Sequence, residues 1–87
     1  MGCYRIDWKQ TARKELRRLD KPDMARVLAA VEGLADQPRP TGCRKLAGTE
    51  KHYRIRVGAV RVIYSILEDL LVVEVIRVGH RGSVYRK

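Results

Sequence analysis

The chain has 87 residues, with 19 Lys and Arg against 10 Asp and Glu, a net charge of +9. That length fits one domain over residues 1–87, with a small core that hides about 60–65% of the unfolded surface. So large an excess of positive charge points to polyanionic partners, while the apolar runs fall well short of the roughly 20 residues that cross a bilayer, so no membrane is expected.

Tyr4, Ile6 and Trp8 alternate with Arg5 and Asp7, the pattern of a short half-buried strand. Thr11 to Leu19 reads as a helix whose apolar stripe is Ala12, Leu16 and Leu19. Arg13, Lys14, Arg17 and Arg18 take its other positions, a solvated face with stems long enough to cover apolar surface. Asp20-Lys21-Pro22-Asp23 reads as a helix start, with Asp20 as the cap and Pro22 in the first turn. Met24, Val27, Leu28, Val31, Leu34 and Ala35 follow at alternating spacings of three and four, a core-facing stripe. The Pro- and Gly-containing run from Gln37 to Gly42 ends that helix, and Lys45-Leu46-Ala47-Gly48 reads as a loop.

Three strand-like runs then follow: His52–Val57, Val60–Leu67 and Leu70–Val78. Gly58-Ala59 and Glu68-Asp69 are two-residue connections, which predict adjacent antiparallel pairing. In the first run, Tyr53, Ile55 and Val57 share one face, and His52, Arg54 and Arg56 share the other. The predicted class is α+β, ordered β-α-α-β-β-β. An antiparallel sheet carries a two-helix hairpin on one face, and the arginines line the other, partly open face. The first strand is expected beside a later one.

Cys3 and Cys43 make a poor disulfide framework, and nothing at the N-terminus reads as a secretory signal, so a cytoplasmic location is expected. Met1-Gly2-Cys3 does not open a myristoylation site, because Ile6 stands where Ser or Thr is required. With His52 and His80, the cysteines lack the close spacing of a zinc module. Neither a metal nor another cofactor is expected.

Leu46-Ala47-Gly48, Tyr53-Arg54-Ile55-Arg56-Val57, Arg61-Val62-Ile63-Tyr64, Val78-Gly79-His80-Arg81 and Val84-Tyr85, in that order, resemble the RelE branch of the RelE/ParE toxin superfamily. Each motif is weak alone; their order and spacing are specific, and the resemblance covers essentially the whole chain. It implies the toxin of a type II toxin–antitoxin system. Such a toxin enters the A site of the 30S ribosomal subunit, among ribosomal RNA, and cuts mRNA there. It also implies an acidic RelB-like antitoxin, and operator DNA bound only by the toxin–antitoxin complex.

By position, the family's basic residues fall on Arg54, Arg56, Arg61 and Arg81, and its terminal tyrosine on Tyr85. Cleavage without a metal needs in-line attack by a 2′-oxygen, a receiver for its proton, and cations to hold the phosphorane charge. Arginine forks suit the last task, so Arg61 and Arg81 are the expected stabilisers, with Arg54, Arg56 and Lys45 holding substrate. Arg54 and Arg56 stand where relatives often have lysine, and arginine does not give up its proton. His80 is the side chain here best able to exchange one near neutrality. Tyr85 is expected among the catalytic residues, either stacking on a base or hydrogen-bonding the reacting groups. Gly82-Ser83 departs from the charged residues common in relatives.

Simpler readings stand beside these: an Arg61–Glu74 strand pair, a plain turn role for His80, packing of the tail by Tyr85. Two alternatives also remain for the whole chain. One is a ParE-like toxin that inhibits DNA gyrase without nuclease activity; the other is a basic RNA-binding module.

Overall fold

Val60–Leu67 is the most continuously buried strand, because both its edges are paired and the helices cover one side of it. A computed structural model describes residues 3–46, 48 and 51–80. Its elements are β1 (Arg5–Trp8), α1 (Gln10–Arg17), α2 (Lys21–Gly33), β2 (Arg44–Lys45), β3 (His52–Val57), β4 (Val60–Leu67) and β5 (Val72–His80). The sheet order is β1-β5-β4-β3-β2. The three long strands pair antiparallel as their short connections predict, and β2 joins β3 the same way. β1 lies at the far edge, parallel to β5, so the sheet is mixed. A parallel neighbour needs a long crossover, and here the helices and β2–β4 provide it.

Both helices lie on one side of the sheet. Ala12, Leu19, Val27, Val31 and Leu34 share one core cluster with Ile55, Val60, Val62, Tyr64, Ile66, Val73, Val75 and Val78. The α1 stripe is thus as expected, with Leu16 half-buried. In α2 the stripe is narrower, since Leu28 is 38% exposed. Val27, Val31 and Leu34 already fill the line facing the strands, and Leu28 sits about 100° round the helix from Val27.

Three local expectations change. Leu70 does not begin β5: Glu68–Leu70 forms a single 3-10 turn, Leu71 takes left-handed angles of φ 54° and ψ 50°, and the strand starts at Val72. Asp20 precedes α2 in extended geometry, but its side chain makes no capping hydrogen bond. Lys45 is not in a loop but in the two-residue strand β2. The Gly58-Ala59 turn holds as expected, and Gly58 takes its φ of 63° without the penalty a Cβ would bring.

The segment between α2 and β2 is tied down at one end of the sheet. Tyr64, fully buried, donates its hydroxyl to the Pro38 carbonyl at 2.6 Å and stacks on Tyr53 with centroids 6.0 Å apart. Arg39 lies over the Tyr53 ring, donates to its hydroxyl at 3.1 Å, and pairs with Glu68 at 2.6 Å. Tyr4 donates to the other Glu68 oxygen at 2.6 Å. The hydrogen bond from Tyr4, and then the one from Arg39, hold the Glu68 carboxyl below its ordinary value. This network ties the segment before β2 to β3, to β4 and to the turn that follows β4.

Candidate functional site

Strand alternation sorts the candidate residues by side. On antiparallel strands, residues directly opposite point the same way, with Cβ atoms about 4.5–5.5 Å apart. Tyr53 faces Tyr64, Ile55 faces Val62 and Val57 faces Val60, all toward the helices. The other row therefore belongs to the opposite side, where no described helix lies. There Arg56 stands directly opposite Arg61, and Arg54 opposite Ile63. Across β4, Arg61 faces Gly79, which adds no side chain beside it. Three predicted arginines thus share one side of two neighbouring strands.

Sequence reasoning overlooked a fourth. Arg44 on β2 pairs with Arg54 and extends the row, whereas Lys45 pairs with Tyr53 on the helix side. The predicted Lys45 is therefore across the sheet from the arginines. The signal that separates Arg44 from Lys45 is the parity of β2 against β3, which a two-residue strand in a loop-like sequence does not reveal.

Arg54 differs from its neighbours in burial. It is only 8% exposed, and its Nε has no hydrogen-bond partner among the described residues. A buried donor left without an acceptor costs about 1–3 kcal/mol. Arg61 is half-buried and Arg56 exposed. Glu74 stands beside Ser65, four positions along β4 from Arg61, about 13 Å at strand rise. Register therefore sets no carboxylate directly opposite Arg61.

His80 does not fall in this row. It faces Val60 at the end of β5 and lines a cleft with Glu15, Arg18, Leu19, Val78 and Gly79, on the helix side. Arg81 and Tyr85 lie outside the described residues, as do Gly82, Ser83 and Val84. Among the described residues, no group of three or more His, Cys, Asp or Glu side chains is placed to hold a metal ion. No helix among them is long and apolar enough to cross a membrane.

Two helices on one side of a five-stranded mixed sheet, with a row of arginines on the other, define a small basic α+β protein. A family model described as the ParE toxin of type II toxin–antitoxin systems matches residues 6–85. The chain belongs to the RelE/ParE superfamily of type II toxins, and within it is RelE-like. Toxin RelG of Mycobacterium tuberculosis is 33% identical over 88 residues, spanning 97% of this chain and 98% of that protein. The archaeal RelE–RelB complex from Pyrococcus horikoshii contains a chain similar at TM-score 0.82 and 31% identity, with 93% of this chain and 98% of that one covered. The intact Escherichia coli RelBE toxin–antitoxin complex gives 0.80 and 27%, with 91% and 98% covered.

Proposed function

We propose that this toxin is an endoribonuclease that cuts mRNA in the A site of the 30S subunit and so stops translation. The observation that carries the reading is the row itself: Arg54, buried, stands with Arg44, Arg56 and Arg61 on the side away from the helices. An RNA phosphate offers the oxygens that such a row can engage in pairs.

In the proposed reaction the 2′-oxygen forms a bond to the adjacent phosphorus as the bond from phosphorus to the 5′-oxygen breaks. The 2′ proton passes to a base, and the departing 5′-oxygen takes a proton. Arg61 stabilises the charge on the phosphorane, Arg54 and Arg56 hold the flanking phosphates, and Arg81 serves the phosphorane and the leaving oxygen. Tyr85 stacks on a base. His80, at the strand end, is kept as a candidate proton carrier reached from the far side of the sheet rather than as a member of the row. Side-chain cations alone carry the charge in this scheme.

An acidic RelB-like antitoxin is the proposed partner, able to neutralise the basic surface, with operator DNA contacted only by the pair. Solved relatives described as RelE–RelB complexes support this.

The test is primer extension on mRNA from a translating extract. Breaks at fixed codon positions are expected with the wild type and not with Arg61→Ala or Arg81→Ala. Loss of one charged donor to a developing oxyanion costs about 10²–10³ in rate. Intact mRNA with the wild type removes the nuclease assignment. Gyrase-dependent DNA damage in its place moves the chain to the ParE-like reading.

A further inference from the structure

A second strongly basic surface lies on the other side of the molecule. From Lys9 to Arg18 the chain carries five cations, Lys9, Arg13, Lys14, Arg17 and Arg18, and one acid, Glu15. Glu15 turns inward: its carboxylate accepts Arg77 Nε and Nη2 and the Val78 backbone N–H, at 2.8 to 3.2 Å. The charged groups left on the outer face of α1 are all cations. Arg13, Lys14, Arg17 and Arg18 are in no ion pair among the described residues, and all four are exposed.

Beside them is Trp8. Paired with Val75 at the end of β1, it sits on the helix side and is only half-buried. Trp8, Gln10, Arg13, Lys14 and Arg17 line a cleft of about 350 Å³. Like-charged side chains crowded on two helical turns repel one another, and an anion that spans the face relieves that repulsion. Arg13 and Arg17 are one turn apart, about 6 Å along the axis, a spacing suited to successive phosphates on one strand. An indole at the end of that line offers a stacking surface for a base or sugar edge.

We propose that Trp8 with Arg13, Lys14 and Arg17 forms an RNA-docking surface, separate from the arginine row and facing the opposite way. RNA fits better than a protein partner, because a protein helix or strand needs apolar anchors. Among the described residues the exposed large hydrophobics are Leu28, Leu70 and Leu71, none of them on α1. The inference rests on reading the toxin as RNA-directed. It adds a division of labour: α1 grips folded RNA while the far side of the sheet holds the strand to be cut.

Trp8 is the only tryptophan in the chain, so its fluorescence reports this cleft directly. The full-length protein is titrated with a short A-form RNA stem-loop over a series of salt concentrations, with polyglutamate as a non-nucleic polyanion. Saturable quenching by the stem-loop is expected. In Arg13→Ala/Arg17→Ala the affinity should fall about 10-fold, and the salt slope should drop by about 1.5, the loss of two phosphate contacts. In a translating extract the same variant should need more protein for half-maximal cleavage but reach the wild-type maximum. Arg61→Ala should lose cleavage and keep the quenching. Wild-type affinity in the double variant overturns the proposal, as does equal quenching by polyglutamate. Quenching that depends on α1 in a protein that never cuts mRNA would leave this surface standing and remove the nuclease reading.

Discussion

Glu15 and Arg77 lie 62 residues apart in the chain and meet through a forked pair, Arg77 Nε and Nη2 to the Glu15 carboxylate at 2.9 to 3.2 Å. The same carboxylate accepts the Val78 N–H at 2.8 Å. β1 stops pairing at Trp8 opposite Val75, so β5 runs on past its edge neighbour. Glu15 covers the backbone donor that β1 no longer reaches. Next to it, β5 slips register against β4 between Ile63 and Tyr64, a bulge that shifts the segment ahead of Gly79. The pair therefore anchors α1 to the strand that brings Gly79 beside Arg61.

Replacing Glu15 tests that anchor. Glu15→Ala removes a charged acceptor for three donors, and the side chain is only 20% exposed. A loss of about 1.5–3 kcal/mol is expected, the worth of hydrogen bonds to a charged group, discounted because Arg77 is 35% exposed. Glu15→Gln should lose less. Urea unfolding of both variants measures this, and an unchanged midpoint in Glu15→Ala would show that the anchor carries no stability.

Tyr64→Phe should destabilise by about 1–2 kcal/mol, because the Pro38 carbonyl loses its only hydroxyl donor in a buried place. The Tyr64 phenol is pushed up from its ordinary value, chiefly by burial. Its folded value lies above the unfolded one. Its contribution is thus complete below about pH 10 and is lost as pH rises through the higher folded value. Alkaline unfolding followed by tyrosinate absorbance should show this phenol ionising together with loss of structure, not before it.

Glu68 contributes on the acid side. Its folded value lies below the ordinary one, through the bonds from Tyr4 and Arg39. That contribution is present above the unfolded carboxylate value, about 4.3, and is lost as pH falls through the lower folded value. Tyr4→Phe should lower Tm at neutral pH and match the wild type once the carboxyl is protonated. A gap between the two Tm curves that does not narrow on acidification contradicts this account.

Leu71 occupies the left-handed region at φ 54°, where a Cβ costs about 1 kcal/mol. Leu71→Gly should stabilise by about 0.5 kcal/mol after the added chain entropy of glycine. Leu71→Val, branched at Cβ, should destabilise. Comparison of urea midpoints decides, and the opposite order would mean that the half-exposed leucine packs to better effect than its backbone is strained.

The register of β2 gives a functional prediction. Arg44→Ala should weaken RNA binding about 5-fold and reduce the salt slope by about 0.8, one phosphate contact, whereas Lys45→Ala should leave both near wild type. Filter binding of a short single-stranded RNA at several salt concentrations separates them. A larger effect at Lys45 would place the substrate on the helix side.

Much of the fold was legible because its signals are local. The alternation of Tyr53, Ile55 and Val57 with His52, Arg54 and Arg56 fixed which arginines share a side, since successive side chains on a strand must point opposite ways. The stripes of α1 and α2 and the Gly58 turn were equally local. The first misreading was also local: Glu68-Asp69 resembled a two-residue turn, and only the left-handed Leu71 shows where β5 begins. Leu28 matched the helical period, but the period does not say how wide a stripe the sheet can cover.

By itself, the sequence determined the class of fold, the excess of positive charge, the superfamily, and the shared side of Arg54 and Arg56. Tertiary structure alone decided which residues stand beside them. It set Arg44 into the row and Lys45 outside it, sent His80 to the helix side, and turned Glu15 inward so that α1 shows only cations around Trp8. The reason is physical. Periodicity follows from the covalent geometry of a few neighbouring residues. Register between strands, and the pairing of charges 62 residues apart, follow from how the whole chain packs.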